Sequence, residues 1–198
     1  LSAVVEHVSQ LNGKKPYGIG HSLGGHAFAK LAGEDALVDK LVLLDPLINP
    51  TEQFPSVANW YFSDCVKKNK VPLKPVIRLG NIPGFGLLRK LRTFGKSCFD
   101  EEDVKLFIDS LYNAQSCDKP LLVPTQTVLS GSTYLMIPHS SARLNALKQE
   151  WEALGANVEI YPHLNHFFSG GLLTGVGDVF SSMEEEGIMD NIRGFFNN

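Results

Sequence analysis

The sequence predicts an α/β fold of parallel strands with flanking helices, and three observations carry that expectation. A short extended segment, Lys14 to Ile19, runs into Gly20-His21-Ser22-Leu23-Gly24-Gly25 and then into a stretch of helical spacing. Leu41-Val42-Leu43-Leu44 is a continuous apolar run of strand length, which suits a strand buried on both faces. Further on, two strand-like runs, 125–130 and 157–161, bracket an amphipathic helical pattern. The first two strands with the helix between them make one βαβ unit.

Taken in order, Leu1 to Leu11 has Val4, Val5, Val8 and Leu11 on one helical face. A strand is expected near 16–20. Gly20 and Gly24, two residues either side of Ser22, have no Cβ to collide in a tight strand-to-helix turn. The helix that follows carries Ala27, Phe28, Leu31 and Ala32 on one face and is expected to break at Gly33-Glu34-Asp35. The apolar run then forms a strand near 41–45 and ends at Asp45-Pro46.

From 50 to 120 the character changes. Pro50, Pro55, Pro72, Pro75 and Pro83 interrupt the pattern, and helical patches remain at 57–67, 86–91 and 101–112. A second, helical unit is expected here, inserted between 1–49 and 121–198. Its aromatics (Phe54, Trp60, Tyr61, Phe62, Phe85, Phe94 and Phe99) fit either the lining of an apolar pocket or the unit's own core.

After the strand at 125–130, Ser140 or Ser141 caps a helix carrying Leu144, Leu147, Trp151 and Leu154, which Gly155 closes. Asn157 to Tyr161 alternates with Val158 and Ile160 inward and reads as the last strand. A final helix is expected from 176 to 196, kinked at Gly187.

Composition narrows the function classes. The chain has 198 residues, enough for a real core, with 43% hydrophobic and 20% charged residues. The net charge of −3 and the lack of a long basic run give no support to nucleic-acid or anionic-membrane binding. No apolar stretch reaches membrane-spanning length. Cys65, Cys98 and Cys117 are odd in number, widely spaced and without a metal-type pair, which favours a reducing, cytoplasmic setting. No metal or cofactor is implied.

The strand, Gly20-His21-Ser22-Leu23-Gly24-Gly25, helix succession resembles the nucleophile elbow of the α/β-hydrolase superfamily, with Ser22 as nucleophile. Asn165-His166-Phe167-Phe168 after the last strand is similar to that superfamily's histidine loop, which makes His166 the base. The resemblance covers the C-terminal part of the fold. It implies a helical cap at 50–120 and a serine hydrolase acting on small-molecule or lipid carboxylic esters, of the lipase or esterase type. The backbone N–H of Leu23 is then one oxyanion donor, and His21, Tyr134 and Phe167 flank the substrate pocket. The second oxyanion donor and the first strands of the fold normally lie upstream of the elbow. A chain that opens at Leu1, inside a helix, therefore reads as part of a longer protein with an impaired site. With its usual neighbour missing, the elbow strand is expected to be an open sheet edge prone to self-association.

The acid departs from the resemblance. Its usual frame, glycine to proline after the penultimate strand, matches Gly131 to Pro138, and the aspartate's position holds Tyr134. Tyrosine, with a pKa of about 10, offers no carboxylate at neutral pH. Asp45, at the end of its strand, is the other candidate, because some lipases place their acid there. An Asp-Pro at a strand end also caps turns. Asp45, a bare Ser–His dyad and another carboxylate all stay open. The competing functions are a non-catalytic binding protein of the same fold and a truncated product without independent function. Ser22 argues against dehalogenases and epoxide hydrolases, which need an aspartate nucleophile.

Overall fold

The computed structural model describes residues 1–50, 115–132, 138–169 and 182–198. Helix α1, Ser2–Asn12, leads to strand β1, Gly18–His21, helix α2, Leu23–Glu34, and strand β2, Leu41–Leu44. Strand β3, Thr125–Ser130, helix α3, Ser141–Ala153, strand β4, Asn157–Tyr161, and helix α4, Ile188–Asn197, complete the described elements. The chain divides into two compact units, one of 1–49, 116–172 and 178–198, the other of 50–115 and 173–177. All the elements named above belong to the first. The expected cap, with its aromatics, lies almost wholly outside the described residues, as does Tyr134.

The four strands form one parallel sheet in the order β1-β2-β3-β4. Its two faces are legible in β2. Leu41 and Leu43 join one core cluster, with Val5 of α1, Ala29 and Ala32 of α2, and Leu147 and Trp151 of α3. Val42 and Leu44 join the other, with Leu164, Phe168, Met183, Ile188 and Ile192. Period-two alternation thus sends an all-apolar strand to two different cores, which is why it shows no polar positions. The sheet is helix-flanked on both faces, as an α/β fold requires.

Several local expectations meet their physical limits here. In α1 the helix forms, but only Val5 is buried; Val4 is 63% and Leu11 72% exposed. The periodicity marks a helix, not what covers it. Helix α2 runs through Gly33 to Glu34 instead of breaking there. At α3 the cap is Ser140, whose Oγ accepts from the Arg143 N–H at 3.2 Å. Gly187 does not kink a continuous helix. It adopts a left-handed φ of 70° at the N-cap of α4, after a run of turns, so α4 is a separate, shorter helix. β1 is the outer strand of the described sheet, and its Ile19 is 53% exposed.

Candidate active site

The carboxyl ends of the parallel strands carry the chemistry-bearing residues, where ligands of open α/β sheets bind. Ser22 follows β1, Asp45 follows β2, Ser130 ends β3, and His166 lies on the loop after β4. Register aligns His21 with Leu44 and Leu44 with Val128. The ladder continues one step further, with the Ser22 N–H on the Leu44 carbonyl at 2.9 Å and the Asp45 N–H on the Val128 carbonyl at 2.7 Å.

Ser22 turns the chain from strand to helix with φ 53° and ψ −119° at the N-cap of α2. A non-glycine residue there is strained, and such strain gathers at functional positions. Among the described residues the non-glycine residues with positive φ are Ser22, Asp45 and Phe168, all at this edge of the sheet. The glycine requirement is corrected in one respect. A Cβ on Gly20 would lie 2.7 Å from the Gly24 carbonyl oxygen and 2.8 Å from Gly25, so the tight turn needs Gly20. A Cβ on Gly24 meets nothing within 4 Å among the described residues, because that position points out of the turn. Leu23 is the first residue of α2, so its N–H belongs to the unsatisfied donors of a helix N-terminus.

Asp45 and His166 are joined directly. The His166 Nδ1 donates to Asp45 Oδ2, with both side chains buried. Ser130 gives its backbone N–H to Asp45 Oδ1 at 3.0 Å and its hydroxyl to Oδ2 at 2.8 Å. Burial pushes the Asp45 carboxyl upward, but the bond and charge of His166 and the two bonds from Ser130 outweigh it, and the carboxyl sits below its usual range. Because a carboxylate can only accept, His166 Nδ1 carries the proton of this bond. His26 Nδ1 donates to the Leu47 carbonyl at 2.7 Å, tying the turn after Asp45 to α2.

The histidine loop is held from several sides. The Gly131 N–H donates to the Leu164 carbonyl at 2.8 Å, and the His166 N–H donates to Ser132 Oγ at 3.1 Å. A Cβ on Gly131 would lie 1.8 Å from the Pro162 carbonyl oxygen, so the loop approaches β3 through a gap only glycine leaves. Asn165 closes the loop on itself: its Oδ1 accepts from the Phe167 N–H at 2.9 Å, and its Nδ2 donates to Ser169 Oγ at 2.7 Å. On the far side, His21 Nε2 donates to the His166 carbonyl at 2.8 Å, and the two rings lie 4.8 Å apart. Phe167 sets its ring edge-on to His166 at 5.4 Å and is half-buried.

Of the sequence-derived candidates, Ser22, Leu23, His21, Asp45, His166 and Phe167 therefore converge on one edge. The remaining histidines do other things. His163 pairs with Glu186 at 2.8 Å on the surface, and His139 lies half-buried, with burial lowering its imidazole. Ser130 and Ser132 escaped sequence reasoning, and Asn165 entered it only as the first residue of the histidine-loop pattern. Ser130 ends a strand whose neighbour runs into Asp45, and only knowledge that β2 and β3 pair would have exposed it. Among the described residues no group of three or more His, Cys, Asp or Glu is arranged to hold a metal ion, and no helix is long and apolar enough to cross a membrane.

No protein-family model matches the chain, and no curated protein matches it significantly. Solved structures do resemble it. The esterase domain of a Rhodothermus marinus protein is 14% identical with a TM-score of 0.40, over 94% of this chain and 65% of that one. A point mutant of a Bacillus megaterium epoxide hydrolase, complexed with its naphthyloxy-propanediol product, is 14% identical with a TM-score of 0.48, over 100% and 75%. The same hydrolase with an inhibitor is 15% identical with a TM-score of 0.48, over 98% and 75%. The chain spans 65% of the length of the esterase domain.

Proposed function

We propose that the chain is a serine hydrolase of the α/β type that acts on carboxylic esters, with Ser22 as nucleophile, His166 as base and Asp45 as acid. The observation that carries this reading is the buried bond from His166 Nδ1 to Asp45 Oδ2, at the sheet edge where Ser22 holds its strained turn. A serine at that turn, not a carboxylate, favours esters over epoxides.

In the proposed reaction, Ser22 Oγ attacks the ester carbonyl carbon while its proton passes to His166 Nε2. The carbonyl oxygen becomes an oxyanion and accepts from the Leu23 N–H. Asp45, held ionised, stabilises the imidazolium. Collapse breaks the ester C–O bond, and the departing alcohol oxygen takes the proton from His166. Water, deprotonated by His166, then attacks the acyl-serine and releases the carboxylic acid and the free Ser22 hydroxyl.

A fluorophosphonate probe tests this. Covalent labelling of the chain that disappears in Ser22→Ala and falls steeply in His166→Ala supports an activated serine. Labelling unchanged in Ser22→Ala rejects it. A chain that is folded and unlabelled leaves a non-catalytic binding protein of this fold.

A further inference from the structure

β4 and β1 stand at opposite sides of the four-stranded sheet, yet the base on the loop after β4 meets a side chain from β1. Three strand spacings of about 4.8 Å separate them, roughly 14 Å in all. The loop bearing His166 must therefore run back across the carboxyl edge, and it is anchored on each strand it crosses. Over β3 it is held by Gly131 and Ser132. Over β2 the anchor is Asp45. Over β1 it is His21, whose Nε2 donates to the His166 backbone carbonyl at 2.8 Å.

We propose that His21 is a positioning residue, the far anchor that holds the backbone of the base over the nucleophile it precedes in the chain. This deepens the reading of Ser22, His166 and Asp45 as a catalytic set and rests on it. The contact has the right chemistry. A carbonyl oxygen only accepts, so the proton of His21 resides on Nε2. Burial, and then the proximity of His166, hold the His21 imidazole below its ordinary range, so it stays neutral at neutral pH. A neutral ring can lie against His166 without opposing the positive charge that forms there during proton transfer. The ring is itself fixed: it meets His166 at 4.8 Å and Phe168 edge-on at 6.3 Å, and its backbone is the last residue of β1, paired with Leu44. His21 thus ties the strand that carries Ser22 to the loop that carries His166. The bond to Asp45 fixes the ring of His166, and the bond to His21 fixes its main chain.

The test uses the whole chain. His21→Ala is expected to lower kcat for a short-chain ester by about 10- to 100-fold with KM nearly unchanged, the loss a displacement of about 1 Å imposes on a reacting group. His21→Gln, whose amide can place a donor near the same point, is expected to recover most of it. Should His21→Ala not fold, His21→Phe refills the ring volume without the donor and carries the same expectation. A second readout does not depend on hydrolysis. The proton shared by His166 Nδ1 and Asp45 should give a protected, far-downfield NMR resonance in the wild type. It should broaden by exchange in the donor-less variants and persist in His21→Gln. A sharp resonance and unchanged kcat in the donor-less variants overturn the proposal, as does a loss confined to KM, which would make His21 a substrate contact. If the wild type neither hydrolyses esters nor takes a fluorophosphonate, the catalytic reading fails, and the resonance still decides what His21 holds.

Discussion

Ser130 holds both oxygens of the Asp45 carboxylate, its N–H on Oδ1 at 3.0 Å and its hydroxyl on Oδ2 at 2.8 Å, from the end of the adjacent strand. The last residue of β3 thus supplies both donors to the carboxylate that follows β2.

That relationship predicts a pH dependence. The folded carboxyl of Asp45 lies below its ordinary value of about 4. Its contribution to stability is thus fully present above that pH and is lost as pH falls through the lower folded value. Ser130→Ala removes one of the contacts that lower it, so the folded value rises and the acid limb of the stability curve moves to higher pH. At pH 7 the same variant should lose about 1.5–3 kcal/mol, the usual worth of a hydrogen bond to a charged group. Urea unfolding at a series of pH values measures both. An acid limb that does not move would mean the hydroxyl does not act on Asp45.

The elbow glycines predict opposite outcomes for one substitution. Gly20→Ala drives a methyl to 2.7 Å from a backbone carbonyl and should cost about 1–3 kcal/mol through overpacking. Gly131→Ala, at 1.8 Å from the Pro162 carbonyl oxygen, must displace the histidine loop and should be the more damaging. A methyl at Gly24→Ala meets nothing within 4 Å among the described residues, and relief from glycine's poor helix propensity can stabilise by up to about 1 kcal/mol. Urea midpoints rank the three. Equal losses at Gly20 and Gly24 would contradict the turn geometry.

What the sequence disclosed and what it hid divide by range. The all-apolar Leu41–Leu44, the Ser140 cap and the alternation of Asn157–Tyr161 depend on neighbours within a few residues, and the expected strands and the helix appear at those positions. Ser22 and His166 stood out in the sequence because the residues around each form a short local pattern. The partner of His166 stayed open in the sequence, with Asp45 one of the candidates, because Asp45 lies far from it along the chain and the choice depends on which strands pair. The frame from Gly131 to Pro138 drew attention to Tyr134, while Ser130 just before it bonds Asp45 and Ser132 within it bonds the histidine loop, and serine is a type that patterns do not single out. In α1, Val4 and Leu11 satisfy the apolar period and remain exposed, because periodicity says nothing of what is available to cover a face.

The final prediction separates the readings of the acid. If Asp45 orients His166 and stabilises its imidazolium, Asp45→Asn should lower ester hydrolysis by about 10⁴, the usual cost of losing that charge while the shape is kept. Tyr134→Asp should then change the wild-type rate little, since His166 Nδ1 has one proton to donate and Asp45 Oδ2 already accepts it. A bare Ser–His dyad predicts the reverse: Asp45→Asn silent, and Tyr134→Asp raising the rate by up to about 10⁴. Because Asp45 is buried and Asn presents an amide to Ser130, the first variant also perturbs folding, so each rate is taken per fluorophosphonate-titrated site. Rates corrected in this way compare the acid alone. Silence of both variants together with Ser22→Ala would remove Ser22 from the chemistry altogether.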